Sequence, residues 1–184
     1  MSNIKTIGYV DTARGDRANT VLITEIETYA GWSQKGGLAI DGIFFDRTPT
    51  HASPEMAAYM KNISATVKHS DGFMGPRLVA QSPGRLPDTD LMNAYIDLTI
   101  VFEGGYRHVP SHEQLKADLA SFPGVREDYG VLVHSFPKEL GRVGLRRLIN
   151  GLKKDVQYIF LTERSDEVYN AFGKIWDIVL NLLY

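Results

Sequence analysis

Short apolar runs alternate with amphipathic stretches along the whole chain. The first run covers residues 4–10 and ends in Asp11. A helix is predicted over residues 20–32, with Asn19 as its N-cap. The second strand, residues 39–45, ends in Asp46. Ser53-Pro54-Glu55 then reads as a helix start, a capping hydroxyl followed by proline at the first helical position. Met56, Met60, Ile63 and Val67 recur behind it at helical spacing, so that helix buries one stripe.

The alternation continues to the end of the chain. A third strand at residues 77–80 breaks at Ser82-Pro83-Gly84, and a short helix is predicted at 91–95. The fourth strand, 98–102, ends in Glu103. Ser111 with Gln114 marks a capping box for a helix carrying Leu115 and Leu119. The fifth strand, 130–133, ends at His134-Ser135, and its helix spans 138–153 with Leu145, Leu148, Ile149 and Leu152 inward. The sixth, 157–161, ends at Thr162-Glu163. A last helix from Val168 carries Phe172, Ile175, Trp176, Val179 and Leu183.

Strands followed by helices imply parallel pairing with right-handed crossovers, and their β-branched character suits strands covered on both faces. No linker or low-complexity tract divides the sequence. The expected fold is α/β, a TIM-barrel-like (β/α) domain over residues 1–184.

Composition narrows the function without naming it. Charged residues make up 23% and the formal net charge is −2, with Lys and Arg scattered, which argues against nucleic acid as a partner. The absence of cysteine excludes a disulfide framework and a thiolate metal site. No signal-peptide apolar region follows Met1, and no apolar run approaches the ~20 residues of a membrane span. A cytoplasmic location is the expectation. The histidines show no ligand spacing, and neither a P-loop nor a dinucleotide fingerprint occurs, so no metal and no cofactor is expected.

Candidate chemistry lies in what terminates each strand. Asp11, Asp46, Ser82, Glu103, His134 and Glu163 all fall at or just beyond a predicted carboxyl end. In parallel β/α proteins those ends form the active face, although a polar residue after a strand is also an ordinary turn signal. Asp46 follows two phenylalanines, and apolar walls suit a carboxyl group that acts as acid or base. Glu103 is the natural second carboxylate. His134 reads equally as a base or as a satisfied strand-end histidine. Arg47, beside Asp46, suits an anionic substrate group. Tyr29, Trp32 and Phe45 offer flat walls for a sugar or conjugated ligand, though such aromatics also serve as core.

Taken in order, several short motifs resemble the spherulin-4 family. They are Gly8-Tyr9-Val10-Asp11-Thr12, Tyr29-Ala30-Gly31-Trp32, Asp41-Gly42-Ile43-Phe44-Phe45-Asp46, Pro83-Gly84, the strand running into Phe102-Glu103, Val133-His134-Ser135, Leu161-Thr162-Glu163, Tyr169 and Trp176. That family is related to fungal glycoside hydrolases acting on galactosamine-containing polysaccharide. The resemblance implies a (β/α)8 barrel with an Asp-Glu pair after the Gly-Ile-Phe-Phe strand and a Glu after the Val-Phe strand. Here these positions hold Asp46, Arg47 and Glu103, so one carboxylate has become a cation, and Ser82 stands where the family has Asn. The chain opens on what resembles the third family strand. An incomplete barrel of six β/α units instead of eight is expected, with a homodimer as one way to cover the open edges.

Two enzymatic functions and one binding function follow. Short leaderless members of this group resemble proteins of fungal polyketide pathways, implying a cyclase that closes a lactone or α-pyrone ring on a linear polyketide acid. Asp46 would be its general base, Arg47 or His134 would stabilise the developing anion, and Asp11, Tyr29, Trp32, Phe45, Ser82 and Glu163 would line the cleft. The alternatives are a glycoside hydrolase using Asp46 and Glu103, and a non-catalytic carbohydrate-binding descendant.

Overall fold

The computed structural model describes residues 4–171 and 173–183. Two compact units, Met1–Thr99 and Ile100–Tyr184, make up the chain. Six strands, not eight, are found among the described residues, and they belong to a TIM-barrel-like α/β fold.

In the first unit β1 (Ile7–Asp11) pairs with β2 (Gly42–Asp46), and β2 with β3 (Leu78–Ser82), both in parallel. Leu98 and Thr99, which open β4 (Leu98–Gly105), continue the ladder against Ala80 and Gln81. Helices α1 (Asn19–Gly31) and α2 (Pro54–His69) pack on each other and on this sheet. The core between them holds Val10, Leu22, Ile26, Ile43, Phe45, Met60, Ile63, Val67 and Val79, all at most 1% exposed. Each such side chain contributes roughly 1.5–3 kcal/mol through burial. Period-two alternation therefore sends Val10, Ile43 and Phe45 toward the helices and leaves Tyr9, Asp11, Phe44 and Asp46 on the other face.

The second unit contains the rest of β4, α3 (His112–Leu119), β5 (Tyr129–His134), α4 (Gly141–Leu152), β6 (Tyr158–Leu161) and α5 (Trp176–Leu183). β5 and β6 are parallel, with Gly130 opposite Tyr158 and Val133 opposite Leu161. Leu145, Ile149 and Leu152 form the buried stripe of α4. Val131, Val133, Val156, Leu161 and Val179 complete a second apolar centre.

Caps follow the sequence at two helices. Ser53 accepts from the Met56 N–H at 3.2 Å with proline at the helix start, and Ser111 accepts from the Gln114 N–H at 3.2 Å. Elsewhere the elements differ from expectation. Asn19 is the first helical residue rather than the cap, and the cap position belongs to Ala18. The helix predicted at 91–95 is a single 3-10 turn at Thr89–Leu91, and α4 starts only at Gly141, whose φ of 59° halts the preceding 3-10 turn. The last helix begins at Trp176 rather than Val168. The Lys174 and Ile175 N–H groups go to the Glu163 carboxylate instead of to carbonyls one turn back, so the helix forms only after them. Phe172 and the Leu183 side chain lie outside the described residues.

Candidate active site

Three strands of the first unit end in register. Asp11, the last residue of β1, stands opposite Asp46, the last of β2, and Asp46 opposite Ser82, the last of β3. Two residues before Asp11, on the same face, Tyr9 stacks on Phe44 with ring centroids 6.5 Å apart. Its hydroxyl donates to Asp46 Oδ2 at 2.8 Å. The other carboxylate oxygen, Oδ1, accepts the Arg47 backbone N–H at 2.8 Å. Both oxygens of Asp46 are thereby oriented, one by a side chain from the next strand and one by its own turn.

That turn is held from β1. Arg47 has a left-handed φ of 49°, a conformation that costs an L-residue energy and persists only where neighbours enforce it. Thr12, fully buried, supplies the enforcement. Its N–H donates to the Asp46 carbonyl at 3.0 Å and its hydroxyl to the Arg47 carbonyl at 2.7 Å, while the Arg14 N–H reaches the same carbonyl at 2.6 Å. The left-handed turn swings the Arg47 guanidinium back over Asp11. Nε donates to Oδ1 at 2.9 Å, and a terminal nitrogen engages Oδ2 in a two-point contact.

Electrostatics follow from these contacts. The Arg47 hydrogen bond, ahead of the Ala13 N–H bond and the Arg47 and Arg17 charges, holds the Asp11 carboxyl below its ordinary range against an opposing desolvation. Desolvation first, then the hydrogen bond and charge of Asp46, push the Tyr9 phenol up to about 12. Tyr9 is therefore a neutral donor throughout the ordinary pH range. A carboxylate with two fixed donors and a neighbouring cation can stabilise positive charge on a reacting carbon or accept a proton.

Other residues expected at the site are buried or stand elsewhere. Phe45 is 0% exposed and belongs to the core, because it alternates with Asp46 toward the helices. Phe44 takes the accessible position instead. Ser82 is 1% exposed, which leaves its hydroxyl no open surface. Tyr29 and Trp32 share a groove with Tyr9 and Asp11, a groove that Asp46 does not line. They sit in the last turn of α1 and just beyond, and a helix that runs back along its strand returns there to the strand's middle. The Tyr29 ring accordingly covers Gly8, where a Cβ would stand 2.7 Å from it.

In the second unit, Glu103 lies within β4 rather than after it and accepts the Tyr169 hydroxyl. His134 ends β5, with Nδ1 2.8 Å from Ser135 Oγ, and Ser135 has a left-handed φ of 56°. Glu163, partly buried, binds backbone, accepting the Lys174 N–H at 2.5 Å and the Ile175 N–H at 3.4 Å. Burial alone would raise its pKa, but its own amide, those of Lys174 and Ile175 and the Lys174 charge outweigh that and hold it below the ordinary range. Among the described residues no group of three or more acidic or imidazole side chains is placed to hold a metal ion. No described helix is long and apolar enough to cross a membrane.

Sequence reasoning passed over Tyr9, although its period-two relation to Asp11 was a usable signal. It also missed Arg17, which forks onto Glu25 with one bond of 3.1 Å and donates to the Asp11 carbonyl at 2.6 Å. No local pattern announces a pair eight residues apart that joins the segment before α1 to the helix itself.

Comparison with known proteins places these features in context. The model of spherulation-specific family 4 (Spherulin4) matches residues 1–183. Among solved structures, Aspergillus clavatus Sph3 in complex with GalNAc superposes with a TM-score of 0.89 at 29% identity, covering 98% of this chain and 72% of that one. No curated protein matches the sequence.

Proposed function

We propose the function from one premise: the chain belongs to spherulation-specific family 4, whose model spans residues 1–183. On that basis the protein is a carbohydrate-active enzyme of the glycoside-hydrolase type, acting on a galactosamine-containing polysaccharide. The observation that carries this reading is the double fixation of Asp46 by Tyr9 and by the Arg47 N–H. An oriented carboxylate is what an oxocarbenium-like transition state requires beneath the anomeric carbon. The GalNAc bound to a solved relative of 29% identity supports the sugar class.

Glycoside cleavage also needs a proton donor, a role the hydrolase reading gives to Glu103. Release of reducing ends from a galactosamine polymer, abolished by Asp46→Asn and by Glu103→Gln, is the expected outcome. No release by the wild-type chain would refute the hydrolase.

One observation favours a second reading. Arg47 stands where the resemblance implies a second carboxylate, and it is committed to Asp11. A chain that kept the cleft but lost catalysis would bind galactosamine oligosaccharide without cleaving it, which the same assay separates. The lactone- or pyrone-forming cyclase draws no support from the family match or from the solved relative.

A further inference from the structure

In a parallel ladder each residue directs its N–H and C=O to one side, and successive residues alternate. In the first unit Thr6 and Thr12 bond toward β2, through the Asp41 N–H to the Thr6 carbonyl and the Thr12 N–H to the Asp46 carbonyl. The carbonyls of Ile7, Tyr9 and Asp11 therefore point away from β2. The Tyr29 hydroxyl donates to the Tyr9 carbonyl at 3.1 Å, and Arg17 donates to that of Asp11. Side chains thus occupy positions that an added strand would use, and a strand could dock here only by displacing them.

Beside this edge lies a groove of about 410 Å³ between β1 and α1. Its walls include Tyr9 and Trp32, which are 53% and 39% exposed, and Tyr29, set edge-on to Trp32 with centroids 4.8 Å apart. The forked Arg17–Glu25 pair lines the same groove. Tyr9 belongs to both places, since its ring borders the groove while its hydroxyl orients Asp46.

We propose that this groove is a saccharide subsite adjoining the Asp46 site, holding the sugar unit next to the one at Asp46. The inference rests on the carbohydrate reading above. A sugar ring presents an apolar C–H face and an edge of hydroxyls, which match an aromatic wall beside a carboxylate and a guanidinium fixed in one plane. A lipid chain would have to desolvate the Arg17–Glu25 pair, and an anionic ligand would face the carboxylates of Glu25 and Asp11.

The test is calorimetric titration of the full chain with GalNAc and with a defined galactosamine-containing oligosaccharide. Trp32→Ala is expected to weaken the oligosaccharide about tenfold while leaving GalNAc affinity within about twofold, the scale of one lost aromatic contact. Trp32→Phe should restore most of the loss. Glu25→Gln, of unchanged size, should weaken the oligosaccharide as well and guards against misfolding of the alanine variant. Unchanged oligosaccharide affinity in the Trp32 and Glu25 variants, or equal weakening of both ligands, overturns the subsite and leaves the carbohydrate function standing. Failure of the wild-type chain to bind either sugar overturns both.

Discussion

The Tyr9 hydroxyl donates to Asp46 Oδ2 at 2.8 Å, from one strand to the next, two residues short of the pair that aligns Asp11 with Asp46. Strand register thus brings three functional side chains, Tyr9, Asp11 and Asp46, onto one face. The Thr12 clamp then sets the turn that turns Arg47 onto Asp11.

Tyr9→Phe removes the donor and keeps the ring on Phe44. Sugar release is expected to fall about tenfold, the effect of one oriented hydrogen bond. Because the folded-state pKa is raised to about 12, the phenol favours folding fully below the ordinary value of 10, and that contribution is lost as pH rises toward 12. A denaturation series across this alkaline window should show a shallower loss in Tyr9→Phe than in wild type. Equal slopes would contradict the raised pKa of Tyr9.

Arg47→Gln acts at the opposite end of the pH scale. Asp11 is held below its ordinary value chiefly by Arg47, so its contribution to stability exists above about pH 3.9 and disappears as pH falls through the lowered folded value. Without the guanidinium Asp11 titrates closer to the ordinary value, and that acid-side loss moves to higher pH. Carbon-detected titration of Asp11 checks this directly, and an unchanged midpoint would count against the pair.

Phe44 and Phe45 are adjacent and should behave differently. Phe45→Ala empties a fully buried site and is expected to cost about 3–5 kcal/mol in urea unfolding. Phe44→Ala, at a partly buried position, should cost less than about 2 kcal/mol. It should also reduce activity through the Tyr9 ring that Phe44 supports. Equal stability losses would contradict the assigned faces of β2.

Much of this arrangement is legible in the sequence because strand ends and register depend on local pattern. Asp11 and Asp46 close apolar runs, and Ser53 and Ser111 announce helix starts. The assignment of Phe45 to the site failed on period two, which places it opposite to Asp46. The helix expected from Val168 failed for a different reason. Its apolar spacing is real, but Glu163 binds the Lys174 and Ile175 amides, which apolar spacing does not reveal. The Arg47 turn and the Arg17–Glu25 fork depend on contacts between elements, beyond the reach of any local window.

The most direct test compares wild type with Asp46→Asn for reducing-end release from a galactosamine-containing polysaccharide, alongside oligosaccharide affinity. An oriented catalytic carboxylate predicts release by the wild-type chain, a drop of about a hundredfold or more in the variant, and affinity changed by less than about tenfold. Equal rates of release by the two proteins would contradict the role of Asp46.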